Sequence, residues 1–115
     1  MIYLVRHGQT DWNIQKKTQG HTDIPLNENG RKQAEVLAQS ISNLKIDRII
    51  SSDLLRAKET AEIINKKFGR NIILDERIRE INYGILEGVP RENLTQDTWD
   101  IFNNKPEQLK AEPKI

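Results

Sequence analysis

Met1-Ile2-Tyr3-Leu4-Val5-Arg6-His7-Gly8-Gln9-Thr10-Asp11-Trp12-Asn13 is the stretch on which the reading of this chain turns. Ile2, Tyr3, Leu4 and Val5 suit a pleated, covered surface, so the run predicts a buried strand. The run stops at a cation, an imidazole and a glycine in succession. In an open parallel sheet, ligands bind beyond the carboxyl ends of the strands, and this strand end would suit an anion. Arg6 offers a forked, permanent charge. His7 can attack as a nucleophile or accept a proton. Gly8 lets backbone approach a ligand closely. Taken alone, the three residues fit an ordinary strand-to-loop junction with a surface histidine equally well.

Outward from this stretch, residues 8–20 form a long polar loop carrying Trp12, Asn13, Lys16 and Lys17. Long ordered loops in compact domains tend to be functional. Residues 21–26 read as a turn; its His21 is taken as structural or peripheral, with no second metal ligand at helical spacing. A helix is predicted over residues 28–43. Asn27 is its N-cap, Glu28 faces the positive end of the dipole, and Ala34, Leu37, Ala38, Ile41 and Leu44 share one face. A short strand over 48–51 follows, then Ser52-Asp53 as the cap of a second helix over 53–68. That helix has a stripe of Leu54, Ala57, Ala61, Ile64 and Phe68, and ends at Gly69 in the left-handed position.

Arg56 is the odd residue of that helix. It is a cation in the first turn, facing the dipole unfavourably, which a bound anion would compensate; a tolerated surface arginine is the plainer alternative. A third buried-type strand is predicted over 71–74, then a charged connection and an irregular, glycine-closed loop to Gly88. A helix is expected over 95–104. Residues 105–115, with Pro106 and Pro113, read as a disordered tail or the start of a further segment. Strand, helix, strand, helix, strand is the order of an α/β parallel sheet with right-handed crossovers. It places His7 and Arg56 at one carboxyl edge, with Glu80, a few residues beyond the third strand, within reach of it.

The 115 residues suit one domain with a core that needs no staples. With no cysteine, disulfides and thiolate metal sites are excluded. Eighteen basic and 17 acidic residues nearly cancel, and no polybasic tract argues for nucleic acid or an anionic membrane as main partner. The start does not have the form of a signal peptide, and no stretch has the length of a membrane span. A cytoplasmic location is therefore expected.

The ordered set of motifs resembles the histidine phosphatase superfamily, in its phosphoglycerate mutase-like branch. The matching residues are Leu4-Val5-Arg6-His7-Gly8-Gln9-Thr10 with Trp12-Asn13, Gln19-Gly20-His21-Thr22-Asp23 with Pro25-Leu26, and Gly30 with Gln33-Ala34. They continue with residues 51–61, Arg79-Glu80-Ile81-Asn82-Tyr83-Gly84 and Glu87-Gly88. The resemblance implies a three-layer α/β/α sandwich on a parallel sheet. It implies His7 as the nucleophile that becomes a phosphohistidine. Arg6 and Arg56 would clamp the phosphoryl oxygens, and Glu80 would be the general acid and then base. Asn13 would touch the phosphate region, and Gln19, Gly20 and Tyr83 would line the mouth. No cofactor or metal is implied, since guanidinium groups supply the positive charge.

One departure stands out. Members of that family carry a second histidine in a later His-Gly motif, whereas this chain has only His7 and His21. The chain is therefore expected to be the N-terminal portion of a larger fold, a single incomplete domain over 1–115. Its exposed sheet edge is expected to be covered by self-association or by a complementary fragment. The leading expectation is hydrolysis of small phosphomonoesters. The alternatives are phosphoglycerate mutase activity and an inactive remnant that binds phosphate or a partner chain.

Overall fold

A computed structural model describes residues 1–93; the helix expected over 95–104 and the tail expected over 105–115 lie outside the described residues. The chain forms two compact units. The first comprises Met1–Asp11 and Asp23–Arg79, the second Trp12–Thr22 and the described residues from Glu80.

The first unit is α/β. A single helical turn, α1 (Asp11–Ile14), begins as the chain leaves it. Helix α2 (Glu28–Ser40) starts where the sequence signals it. Asn27 has extended backbone, and its side-chain oxygen accepts the Gly30 N–H at 2.8 Å, satisfying one orphan donor of the first turn. The buried positions of α2 are Gly30, Ala34 and Ala38, four residues apart and all small. Such a stripe allows close helix packing, and α2 lies against α3 (Leu55–Asn65). Helix α3 buries Ala61 and Ile64 together with Leu54 just before it. Gly69 at φ +63° ends this region, its N–H bonded to the Asn65 carbonyl at 2.8 Å, as the left-handed cap requires.

Strands β1 (Ile49–Ser51) and β2 (Ile72–Leu74) pair in parallel in the register Ile49↔Ile72, Ile50↔Ile73, Ser51↔Leu74, and α3 connects them and packs on both. A βαβ unit is thus present, as the element order predicts. The strands are less covered than expected: Ile50, Ile73 and Leu74 are exposed.

The first apolar run corrects the reading more sharply. Residues 1–9 form no strand, and Ile2 and Leu4 are 87% and 94% exposed. The cause is that an apolar run states a tendency, while a strand needs a ladder. The sheet among the described residues consists of β1 and β2 alone, and neither pairs with residues 2–5. His7 therefore does not follow a strand here.

The second unit is a loop assembly. Residues 17–18 run beside 88–90, with an antiparallel bridge between Lys17 and Pro90. The Thr18 N–H reaches the Val89 carbonyl at 3.2 Å, and the Gly88 N–H reaches the Thr18 carbonyl at 2.8 Å. Leu86, Thr18, Gln19 and Gly20 are its buried residues among those described.

Candidate active site

In the first unit, the half-buried imidazole of His7 has Nδ1 2.6 Å from the Gly8 carbonyl oxygen. A carbonyl only accepts, so this geometry puts a proton on Nδ1, and in the neutral ring the lone pair is then on Nε2. Gly8 is buried, and its N–H donates to the Thr60 hydroxyl at 3.0 Å. A Cβ on Gly8 would stand 2.9 Å from the Gly30 carbonyl carbon; a Cβ on Gly30 would stand 2.7 Å from the Gln9 nitrogen. The loop after His7 and the first turn of α2 thus meet backbone to backbone, and glycine on both sides makes this possible.

Further bonds fasten the same crossing. The Asn27 N–H donates to the Gln9 carbonyl at 3.0 Å, and the Gln9 N–H donates to the Gln33 side-chain oxygen at 3.0 Å. Thr10, fully buried, bridges to Leu26.

Arg56 lies in the first turn of α3 and is 1% exposed. It is therefore no surface arginine; a guanidinium so desolvated is held only where polar partners receive it. The start of α3 differs from expectation. The helix begins two residues later, at Leu55, after a Leu54 N-cap with no side-chain bond. Asp23, 32 residues away, accepts the Leu55 N–H at 2.7 Å and brings a carboxylate to the positive end of the helix. Ser52 accepts the Leu54 N–H at 3.3 Å.

Asp53, expected in the cap, turns instead to Arg79 in a two-pronged pair at 2.6 and 2.5 Å. Those bonds, with burial opposing, raise the Arg79 pKa above its ordinary value. Arg6 is exposed.

In the second unit, Asn13 lies half-buried in α1, Gln19 and Gly20 are buried, Tyr83 is half-buried and Glu80 exposed. Glu87 organises part of this set. Its carboxylate accepts the His21 N–H at 2.9 Å, the Tyr83 N–H at 3.2 Å and the Thr22 hydroxyl. Gly20 sits at φ +55°, and a Cβ there would lie 2.9 Å from the Glu87 carboxyl carbon. The loop that holds Gln19–Gly20 and the turn that holds Tyr83 are thus tied to one side chain.

Thr60 and Glu87 are among the residues whose roles the sequence alone does not reveal. Both stand inside motif stretches. Thr60 follows Arg56 by four residues, one helical turn, the spacing that brings it under the Arg56 carbonyl.

The family model for the histidine phosphatase superfamily (branch 1) matches residues 2–114. A probable phosphoglycerate mutase GpmB of Yersinia pestis is 47% identical over 100 residues, covering 85% of this chain and 46% of that protein. Among solved structures, TTHB049 from Thermus thermophilus superposes with a TM-score of 0.72 at 37% identity, over 86% of this chain and 54% of that one. A mycobacterial glucosyl-3-phosphoglycerate phosphatase complexed with VO3 superposes with a TM-score of 0.73 at 34% identity, over 87% and 46%. A phosphoserine phosphatase from Entamoeba histolytica, in complex with 3-phosphoglyceric acid, gives a TM-score of 0.73 at 38% identity, over 86% and 50%. The chain spans about half the length of the curated relatives it matches. With the ordered motifs, the βαβ unit and these matches together, the chain belongs to the histidine phosphatase superfamily, branch 1.

Proposed function

We propose that the chain supports phosphoryl transfer through a phosphohistidine at His7, hydrolysing small phosphomonoesters. The observation that carries the reading is the 2.6 Å contact of His7 Nδ1 with the Gly8 carbonyl. It leaves Nε2 as the nucleophile and supports the positive charge that the ring gains when Nε2 bonds to phosphorus. In the first step the Nε2–P bond forms and the P–O bond to the leaving alcohol breaks, while Glu80 gives its proton to the leaving oxygen. In the second, water attacks phosphorus, the Glu80 carboxylate takes its proton, and the N–P bond breaks to release phosphate. Arg6 and Arg56 hold the non-bridging oxygens; the burial of Arg56 strengthens the attraction between its charge and the phosphoryl group. Asn13, Gln19, Gly20 and Tyr83 contact the phosphate region and the mouth. No step needs a metal or other cofactor. The names of the phosphatase relatives support small phosphorylated metabolites as the substrate class.

The test is turnover of p-nitrophenyl phosphate in EDTA, expected to be abolished by His7→Ala. Trapping of a 32P-labelled, acid-labile enzyme adduct should accompany turnover. Conversion of 3- to 2-phosphoglycerate without phosphate release would instead favour the mutase reading, which the similarity to the probable mutase supports. Bound phosphate with no turnover would favour the inactive remnant, supported by the presence of only two histidines. The exposure of Ile2 and Leu4 supports self-association or capture of a complementary fragment. Sedimentation velocity tests this, and a monomer at high concentration would count against self-association. A cytoplasmic location belongs to the same reading and is tested by fractionation.

A further inference from the structure

Thr60 lies on α3 one turn beyond Arg56 and is 4% exposed. Its hydroxyl donates to the Arg56 carbonyl at 2.7 Å, so the oxygen's lone pairs are open to accept. What they accept is the Gly8 N–H at 3.0 Å, from a residue 52 positions away. Gly8 in turn receives the His7 Nδ1 proton on its own carbonyl at 2.6 Å. One run of three hydrogen bonds thus joins the imidazole of His7 to the backbone of Arg56. A buried threonine bonding back to the carbonyl four residues earlier is common in helices and by itself says nothing of function. The long-range acceptance from Gly8 is what a local helix bond does not explain.

We propose that Thr60 is a positioning residue of the phosphoryl-transfer site. One hydroxyl fixes Gly8 to the helix that carries Arg56, and so sets the separation of nucleophile and buried guanidinium. The proposal rests on the reading of His7 and Arg56 as the reacting and clamping groups. Its physical basis is that a hydroxyl both donates and accepts, while a methyl of the same shape does neither. In a site where the reacting atoms must sit within a few tenths of an ångström, a slip of about 1 Å costs on the order of a hundredfold in rate. Gly8 cannot compensate by moving toward α2, because the Gly30 backbone already lies against it.

The test compares Thr60→Val with Thr60→Ser, each normalised to its folded fraction by circular dichroism and urea titration. Thr60→Val keeps the shape and removes both bonds; Thr60→Ser keeps both bonds and loses only a methyl. Thr60→Val is expected to lower kcat for p-nitrophenyl phosphate about ten- to a hundredfold, with a smaller change in KM. It is also expected to shift the His7 ring 15N resonances of the folded protein. Thr60→Ser should keep kcat within about threefold, with wild-type His7 resonances.

Equal kcat and unchanged 15N shifts in folded Thr60→Val would overturn the proposal. So would a Thr60→Ser variant, folded, that loses activity as fully as Thr60→Val is expected to. If Thr60→Val does not fold, the serine variant decides, together with exchange of the Gly8 amide, which must stay protected. If the wild type neither turns over nor binds inorganic phosphate, the functional reading fails. The His7 15N shifts then still report whether Thr60 holds the imidazole loop.

Discussion

Replacing Gly30 by alanine tests the backbone crossing that holds His7. Two effects oppose each other. Alanine in a helix is favoured over glycine by about 1 kcal/mol. Against this, the new methyl would lie 2.7 Å from the Gln9 nitrogen and closer still to the Gln9 oxygen, where ordinary contacts run from 3.4 to 4 Å. The atoms it meets are backbone and cannot swing away, so loop and helix must separate by about 1 Å. Overpacking of this kind costs about 1–3 kcal/mol. The same movement stretches the bond from the Asn27 N–H to the Gln9 carbonyl, worth about 1 kcal/mol more. The clash wins, and a net destabilisation of about 1–3 kcal/mol is expected.

His7 stands two residues before Gln9, so the separation also moves the imidazole. A displacement of about 1 Å corresponds to a loss of roughly a hundredfold in kcat. Urea titration gives the first quantity, and turnover of p-nitrophenyl phosphate by the folded fraction gives the second. Gln33→Ala is the control, since it removes one side-chain bond to the Gln9 N–H but introduces no clash and leaves the Gly8–Gly30 backbone approach and the Asn27–Gln9 bond in place. A Gly30→Ala protein as stable as the parent, with kcat within twofold, would show that the crossing is not tight and the reasoning wrong.

Other perturbations have equally definite outcomes. The Thr18 hydroxyl is buried without a hydrogen-bond partner among the described residues, so Thr18→Val should be neutral or stabilising by up to about 1 kcal/mol in urea; a loss of that size would reveal a partner. Glu87→Ala leaves three donors unmet and should cost about 2 kcal/mol or more. Glu87→Gln should cost less, because one amide oxygen can serve both N–H groups while its NH2 meets the Thr22 oxygen; equal losses in the two variants would contradict this.

Hydrogen bonds from the Arg77 side chain and backbone hold Asp75 at a pKa of about 2, below the ordinary 3.8. With the folded value depressed, the stabilising contribution is present above about pH 4 and is lost as pH falls toward 2. Carbon-13 titration of the Asp75 carboxyl should show this, with Arg77→Ala moving the midpoint up. A midpoint near 3.8 in the parent would contradict the pair.

What the chain shows by itself is whatever rests on neighbours in sequence. The α2 cap is legible because Asn27 and Gly30 are three residues apart, and the left-handed position of Gly69 is legible because only glycine enters it without strain. The βαβ order follows from periodicity, and membership of the superfamily follows from motifs in fixed order. Everything that failed or was missed depends on partners far along the chain. Residues 2–5 read as a buried strand, yet a strand exists only where another supplies its hydrogen bonds, and β1 and β2 do not.

The sequence points to Ser52-Asp53 as the cap of α3, while the carboxylate at its first turn comes from Asp23 and Asp53 is held by Arg79. Arg56 reads locally as a misplaced cation, and only the packing of α3 buries it. Thr60 is one hydroxyl among several until the fold brings Gly8 to it. Composition, capping and spacing act over one helical turn and so are written in the sequence. Burial, and the second partner of each polar group, are settled by which distant segments meet, and that the tertiary structure alone decides.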